Sequence, residues 1–491
     1  MWKAPRPSPR SASPIGRIAE GKRRDGPFGN PRLAPGAYPR KFVYWRADVI
    51  ERVRDLFTVF QKIRTHLVLL RKDPERFGKN ILQYTNKPLF EERLVEIMNA
   101  VPMYVAPTQT TTSEPRLHIL THVWEQIDMS GGPNTIVNLA FRIARRGVKV
   151  GIVTTVSTSR MDHSWFRAHA ARLLGDSDLP DVPLLTAVDS KQPLEVGPND
   201  LFMATHWTTA QQLKPILPKQ NTGQFFYLIQ DFEPGFYAWS SNFALAMETY
   251  GMDFWPIFNE KLLADFMLTQ PIGRLSDSET RARALVFEPA IDSTLFHPAS
   301  AMRPNRARRL LFYARPTERR NMFGLGLTAL RRVAGDATFD GWEFLSIGSR
   351  GSLPDLPLEG SRRLRSAPWM NYSEYAGLLR DADVLLCPML SPHTSYPVLE
   401  MAASGRWSVT NTYAAKTRLA LESLSPNIIA CEPTIEGLAE GLLRAAREVN
   451  SGRECSTTLN MPRSWSESLD SVANQIAENF WKLSTAHRGK A

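Results

Sequence analysis

The feature that most constrains this chain is an alternation, repeated twice with one break. Short continuous apolar runs end in polar loops, and each is followed by a segment with helical spacing. In the first series the runs are RLHILTHV (116–123), VKVGIVTTV (148–156), DLFMATHW (200–207), QFFYLIQ (224–230) and RALVFEPAI (283–291). In the second they are RRLLFYARP (308–316), WEFLSIGS (342–349), VLLCPM (384–389) and WSVTN (407–411). Strands apolar along their whole length and separated by helices predict parallel sheets covered on both faces. The break, AIDSTLFHPASAMRPNR (290–306), reads as an interdomain connection. The fold class expected is α/β, with two Rossmann-like doubly wound lobes.

The full division expected along the chain has five parts. A basic tail covers 1–45, a helical extension 46–105, a first lobe 106–290, a second lobe 291–462, and a last helix 463–491 that crosses back to the first lobe. Within the extension, residues 46–75 place apolar side chains at helical spacing, and a second helix is expected around Phe90 to Asn99. The Thr- and Pro-rich stretch from Ala106 to Pro115 reads as a linker.

Composition narrows the function classes. The chain is 43% hydrophobic and 22% charged, ordinary for a globular protein. No apolar run reaches the ~18 residues of a membrane-spanning helix, and the first residues lack the apolar core of a secretory signal. Cys387, Cys431 and Cys455 form no metal-spaced pair, and an odd number argues against a disulfide framework. A cytoplasmic location is expected. The net charge of +11 is concentrated: residues 1–40 hold nine Lys or Arg against Glu20 and Asp25, which is +7 of the total. That tail is poor in aromatics and carries no recognition motif, so nucleic acid is not an expected partner. It reads as a disordered extension, with peripheral contact to acidic lipid at the inner membrane face, or a transit peptide, as the other readings.

Chemistry is expected where strands end, because open parallel sheets bind ligands beyond the carboxyl ends of their strands. Gly131 and Gly132 precede a helix and either let a phosphate approach or make a turn. Arg315 closes the first strand of the second lobe, and Arg320 follows five residues on. Two cations there can hold a diphosphate and neutralise a leaving group, or form a solvated basic turn. Glu400 lies in an apolar helix, where its carboxylate needs ribose hydroxyls or internal donors to satisfy it. His206 ends one first-lobe strand as a polar group near the reacting sugar or as a structural histidine. Asp231 and Glu233 follow another strand and, if it continues, face one side as ligands for acceptor hydroxyls. The loop at Ser395 and Tyr396 opens a helix whose backbone N–H groups suit an anion. The nine histidines are scattered and no metal site or cofactor is expected.

Taken together these segments resemble a GT-B glycosyltransferase of family 4. IDSTLFHP (291–298) is similar to the interdomain segment of that family, ARPTERRN (314–321) to its Arg plus basic pair, and SYPVLEMAASG (395–405) to its glutamate-bearing donor motif. YLIQDFEPGFY (227–237), SSNFALAMETYG (240–251) and SPHTSYPVLEMAASG (391–405) resemble the WsaF-type rhamnosyltransferases of bacterial surface glycans. The resemblance covers Arg116 to Leu483. It implies a nucleoside diphosphate sugar as donor, with dTDP-rhamnose favoured, and a glycan or lipid-linked acceptor bound on the first-lobe side. It implies that Arg315 and Arg320 hold the diphosphate and Glu400 the ribose. Ser395 and Tyr396 would offer N–H groups to phosphate, and Gly131 and Gly132 would close on the donor. His206 and Asp231 match cleft positions. Pro392 stands where relatives carry a first Glu, and His393 is the candidate to substitute for it. A nucleotide-sugar epimerase of the same fold and a polyanion-binding scaffold are the alternatives, and no feature fixes an oligomeric state.

Overall fold

The computed structural model describes residues 103–108, 114–122, 129, 131–156, 162–299, 306–349 and 354–485. The chain falls into two compact units, Met1–Leu89 and Phe90–Ala491. The whole first unit lies outside the described residues, and with it the expected basic tail and the 46–75 helix; the expected 90–99 helix lies outside them too.

The first lobe is a sheet of β1 (Arg116–Thr121), β2 (Lys149–Thr154), β3 (Leu184–Thr186), β4 (Leu201–Ala204), β5 (Phe225–Ile229), β6 (Phe254–Asn259) and β7 (Leu285–Phe287). The strands lie in the order β3-β2-β1-β4-β5-β6-β7, all parallel. The second lobe is built from β8 (Arg309–Tyr313), β9 (Glu343–Ile347), β10 (Leu356–Pro357), β11 (Arg363–Ser366), β12 (Val384–Leu386), β13 (Trp407–Asn411) and β14 (Ile428–Cys431). Its order is β10-β11-β9-β8-β12-β13-β14, parallel except for the β10–β11 edge pair. Each sheet therefore reverses its winding once, between β1 and β4 in one lobe and between β8 and β12 in the other. Those are the points where an open sheet leaves a crevice for a ligand. Two Rossmann-like lobes of this kind make a GT-B architecture.

Period-two alternation along the buried strands feeds a core on each face. In β5, Phe226 and Leu228 enter one cluster while Phe225, Tyr227 and Ile229 enter the other. In β12, Val384 and Leu386 face one side and Leu385 the other. Burial on both faces explains why these runs are apolar without interruption.

The helices that frame the lobe interface are α1 (Gly132–Ala144), α2 (Trp207–Leu213), α3 (Lys261–Thr269), α4 (Tyr372–Arg380), α5 (Tyr396–Ala403) and α6 (Trp465–Thr485). The last belongs to the first lobe. Its Leu469, Val472, Ala473, Ile476, Ala477 and Phe480 are buried in the same cluster as Ile136, Leu139 and Ile143 of α1. Arg142 of α1 pairs with Asp470 at 2.5 Å. The chain thus passes between lobes twice, and the two passes are stitched together: Ile291 N–H donates to Pro462 O at 2.9 Å and Ser293 N–H to Arg463 O at 3.2 Å.

Several local expectations change. DLFMATHW does not run as one strand, because β4 stops at Ala204 and Trp207 already opens α2, with His206 as its N-cap. The linker expected from Ala106 begins later: Val105–Pro107 pairs in parallel with Leu194–Val196. Strand β6 lies outside the expected runs, and its Pro256 cannot donate to a ladder. Its neighbour β7 pairs only from Ile257 onward, so Pro256 sits where the outer ladder has not begun.

Truncating α6 at its buried face should destabilise the first lobe. Ile476→Ala is expected to cost about 2–5 kcal/mol, read as a lowered midpoint in urea unfolding with an unchanged slope.

Candidate functional site

The carboxyl ends of the two sheets meet. From the second lobe comes the loop after β12 (Met389 to Ser395) with the start of α5. From the first come the exits of β5 and β6 and the start of α1. Ser391 Oγ donates to Asp231, just past β5. Thr394 N–H donates to the Glu260 carboxylate at 2.9 and 3.0 Å, and its hydroxyl is bonded to the same group. Tyr396 OH lies 3.3 Å from Asn259 Nδ2 and 3.5 Å from Thr135 Oγ1. Lys416 is fully buried behind the loop, with Nζ donating to Met389 O at 2.9 Å and to His393 O at 3.4 Å. Burial brings its ammonium down to about 8.

His393 sits inside this seam with both ring nitrogens occupied. Ser395 N–H donates to Nδ1 at 3.0 Å, which leaves the proton on Nε2, 3.2 Å from Glu260. The Ser395 N–H, expected for a phosphate, is therefore held within the loop. Tyr396 N–H opens α5 without a described partner, and Pro397 follows it.

Arg315 and Arg320 stand at the β8 end of the second-lobe switch point. Both pair with Glu318, at 3.4 Å each, and Arg320 Nε also lies 3.6 Å from Asp231 across the seam. The Arg320 guanidinium stacks 4.2 Å above the Phe236 ring. The two cations are thus gathered as expected at one strand end, but each already has a carboxylate neighbour.

Glu400 has internal donors. Tyr372 and Tyr375, one turn apart on α4, give their hydroxyls to its two oxygens at 2.8 and 2.9 Å. Burial pushes the carboxyl up to about 7. Of the two ways to satisfy this carboxylate, the protein-internal one is what the fold supplies.

On the first lobe, Asp231 and Glu233 part company. The strand ends at Ile229 and a 3-10 turn begins at Glu233, so the expected shared side is lost. Asp231 faces the second lobe, whereas Glu233 is buried and accepts the Trp207 N–H at 2.6 Å and the Tyr227 hydroxyl at 3.4 Å. Burial lifts the Glu233 carboxyl to about 8. The next residue back from Trp207 is His206, whose Nδ1 caps α2 by accepting from Thr208 N–H. Its ring stacks on that of His122, just past β1, with centroids 3.8 Å apart. Desolvation lowers His122 to about 4 and His206 well below its ordinary value, so the first-lobe switch point carries two neutral imidazoles. Gly131 adopts φ +46°, a conformation that favours glycine, and a Cβ on Gly132 would lie 3.2 Å from the Gln230 side chain. These glycines bring the start of α1 against the end of β5.

Among the described residues, no group of three or more His, Cys, Asp or Glu side chains is placed to hold a metal. The one Asp-x-Asp on this lobe, Asp176 to Asp178, lies in a surface turn where Asp176 pairs with Arg145 at 2.5 Å. No described helix is long and apolar enough to cross a membrane.

Two family models match the two lobes in order. The WsaF N-terminal domain covers residues 116–261 and the WsaF C-terminal domain residues 308–443, together more than half of the 491-residue chain. The chain belongs to the WsaF family. It is 36% identical over 285 residues to the O-antigen biosynthesis protein RfbC of Myxococcus xanthus; the match takes in 56% of this chain and spans 20% of that protein's length. Solved structures similar to it include the sucrose-phosphate synthase of Thermosynechococcus elongatus, with TM-score 0.47 and 12% identity over 77% of this chain and 98% of that one. The catalytic domain of starch synthase IV from Arabidopsis thaliana, bound to ADP and acarbose, has TM-score 0.47 and 12% identity over 78% and 100% of the two chains.

In this WsaF-family chain the seam also contains residues that the sequence did not flag: Glu260, Asn259, Thr135, Thr394, Lys416 and His122. Asn259 and Glu260 follow an apolar run, and a strand assignment there would have marked them. Lys416 gives no signal at all, because lysines are seldom fully buried.

The buried Glu233 sets a pH dependence with a definite sign. Its folded value of about 8 is above the ordinary 4.5, so the stability it contributes is full below the ordinary value and falls as pH rises through the folded one. Glu233→Gln keeps an acceptor for Trp207 N–H and removes the ionisation. Its melting temperature relative to wild type should be unchanged near about pH 4 and should rise steadily to about pH 9, an advantage on the order of a few kcal/mol. Thermal denaturation of both proteins across that range checks it.

Proposed function

We propose that this WsaF-family chain is a glycosyltransferase of surface-glycan biosynthesis, moving a sugar from a nucleoside diphosphate to a glycan or lipid-linked acceptor. The observation that carries the reading is the opposition of two switch points, one bearing Arg315 and Arg320, the other bearing the neutral His206–His122 pair and Asp231. The family match and the name of the Myxococcus relative support the glycan context. Rhamnose or another deoxyhexose is the proposed sugar, with dTDP-rhamnose as the first donor to try.

In this reading the diphosphate enters beside Arg315 and Arg320 and competes with Glu318 and Asp231 for their guanidinium groups. Fixed cations whose partners are exchanged, not created, neutralise charge as it develops on the departing diphosphate. The Tyr396 N–H at the start of α5 adds a backbone donor. The neutral imidazoles and Asp231 orient acceptor and sugar hydroxyls, so that positioning does most of the catalytic work. In this reading Glu400 reaches the ribose by sharing its oxygens with Tyr372 and Tyr375, with the nucleoside beside α4. For a lipid-linked acceptor, the basic residues 1–40 would favour an acidic membrane surface.

A thermal-shift panel of UDP-, GDP- and dTDP-sugars tests the donor class, since a ligand at a hundredfold excess over Kd stabilises by about 2.7 kcal/mol. One nucleotide series should raise the melting temperature. Arg315→Ala should abolish most of that shift and slow transfer by about 10²–10³-fold. It should leave the ligand-free melting temperature near wild type, because the Arg315 side chain is 29% exposed and its ion-pair partner is the nearby Glu318. Transfer at the wild-type rate by Arg315→Ala would refute the reading.

A further inference from the structure

We infer that Glu260 is a positioning residue through which the first lobe sets the geometry of the second lobe's donor loop. The inference rests on the glycosyltransferase reading above and concerns a residue that reading does not use. Glu260 follows β6 and precedes α3, and it is 2% exposed. Its carboxylate leaves its own lobe, accepts the Thr394 N–H, is bonded to the Thr394 hydroxyl and lies 3.2 Å from His393 Nε2. His393 passes the constraint on, because its Nδ1 accepts the Ser395 N–H at 3.0 Å. One carboxylate from the first lobe thus fixes three consecutive residues, His393, Thr394 and Ser395, immediately before the N-terminus of α5.

A second observation points to function and not merely to packing. Glu260 has φ 101° and Ser395 has φ 86°, and neither is glycine. These are sparsely populated backbone conformations for residues with a Cβ, and they persist only where surrounding contacts over-determine them. Two such residues stand on opposite sides of one hydrogen-bonded junction. Strain held in this way is characteristic of ligand clamps. A junction built only to hold lobes together would be served as well by relaxed backbone. Here Ser395 of the strained pair stands directly before Tyr396, the first residue of α5.

The test uses the full chain and two variants. Glu260→Gln keeps shape but replaces one of the two carboxylate oxygens that face Thr394 and His393. Glu260→Gly removes the carboxylate and also relieves the φ strain, so its backbone does not oppose folding. Binding of UDP, GDP and dTDP is measured by calorimetry, and donor and acceptor KM are measured separately from kcat. Wild type should bind one of the nucleotides, and both variants should bind it at least about tenfold more weakly. Donor KM should rise by a similar factor while acceptor KM stays constant. A merely structural role would lower kcat through loss of folded protein and leave donor KM alone. Equal nucleotide affinity in wild type and in both variants would overturn the inference and leave the glycosyltransferase reading standing. No nucleotide binding by wild type would overturn both.

Discussion

The junction between the two lobes depends on two carboxylates, Glu260 buried and Asp231 half-buried, that leave one lobe to meet donors in the other. Glu260 accepts from Thr394 and lies 3.2 Å from His393 Nε2; Asp231 accepts from Ser391 and also faces Arg320. Burying such groups is costly unless every donor and acceptor is matched, so a seam of this kind specifies one relative placement of the lobes more sharply than an apolar contact would. The sheets bring their switch points together, and the seam decides how they face each other.

Around that seam the protein sorts charge by compartment. On the first lobe, burial keeps His122 and His206 neutral and raises Glu233 to about 8. On the second, two arginines with a carboxylate between them stay partly exposed, and Lys416 stands behind the loop with its charge spent on backbone carbonyls. In the proposed reaction, the departing diphosphate would lie on the arginine side and the sugar hydroxyls on the side of the neutral imidazoles.

The alternation of apolar runs with helical segments made the two doubly wound lobes legible, because strands buried on both faces leave a pattern that no loop imitates. Arg315 and Arg320 were legible for the same reason: they sit where such a run ends. The orientation of individual side chains was not. Asp231 and Glu233 are two residues apart, yet one turns outward and one inward, since the strand ends before them and a 3-10 turn intervenes. For Glu400 the sequence leaves ribose hydroxyls and internal donors equally open, because the two tyrosines that supply it come from another helix, 25 and 28 residues away. Glu260 was not legible, since its strand lies outside the expected runs. Pairings of this kind depend on which distant segments fold together, and spacing along the chain does not encode that.

The two passes between lobes have a mechanical consequence. Because Ile291 and Ser293 bond to Pro462 and Arg463, the outgoing and returning segments lie side by side and join the lobes at one place. With α6 packed on the first lobe, the lobes are tied at this one place, and any change in their facing would have to break the bonds of Thr394 to Glu260 and of Ser391 to Asp231.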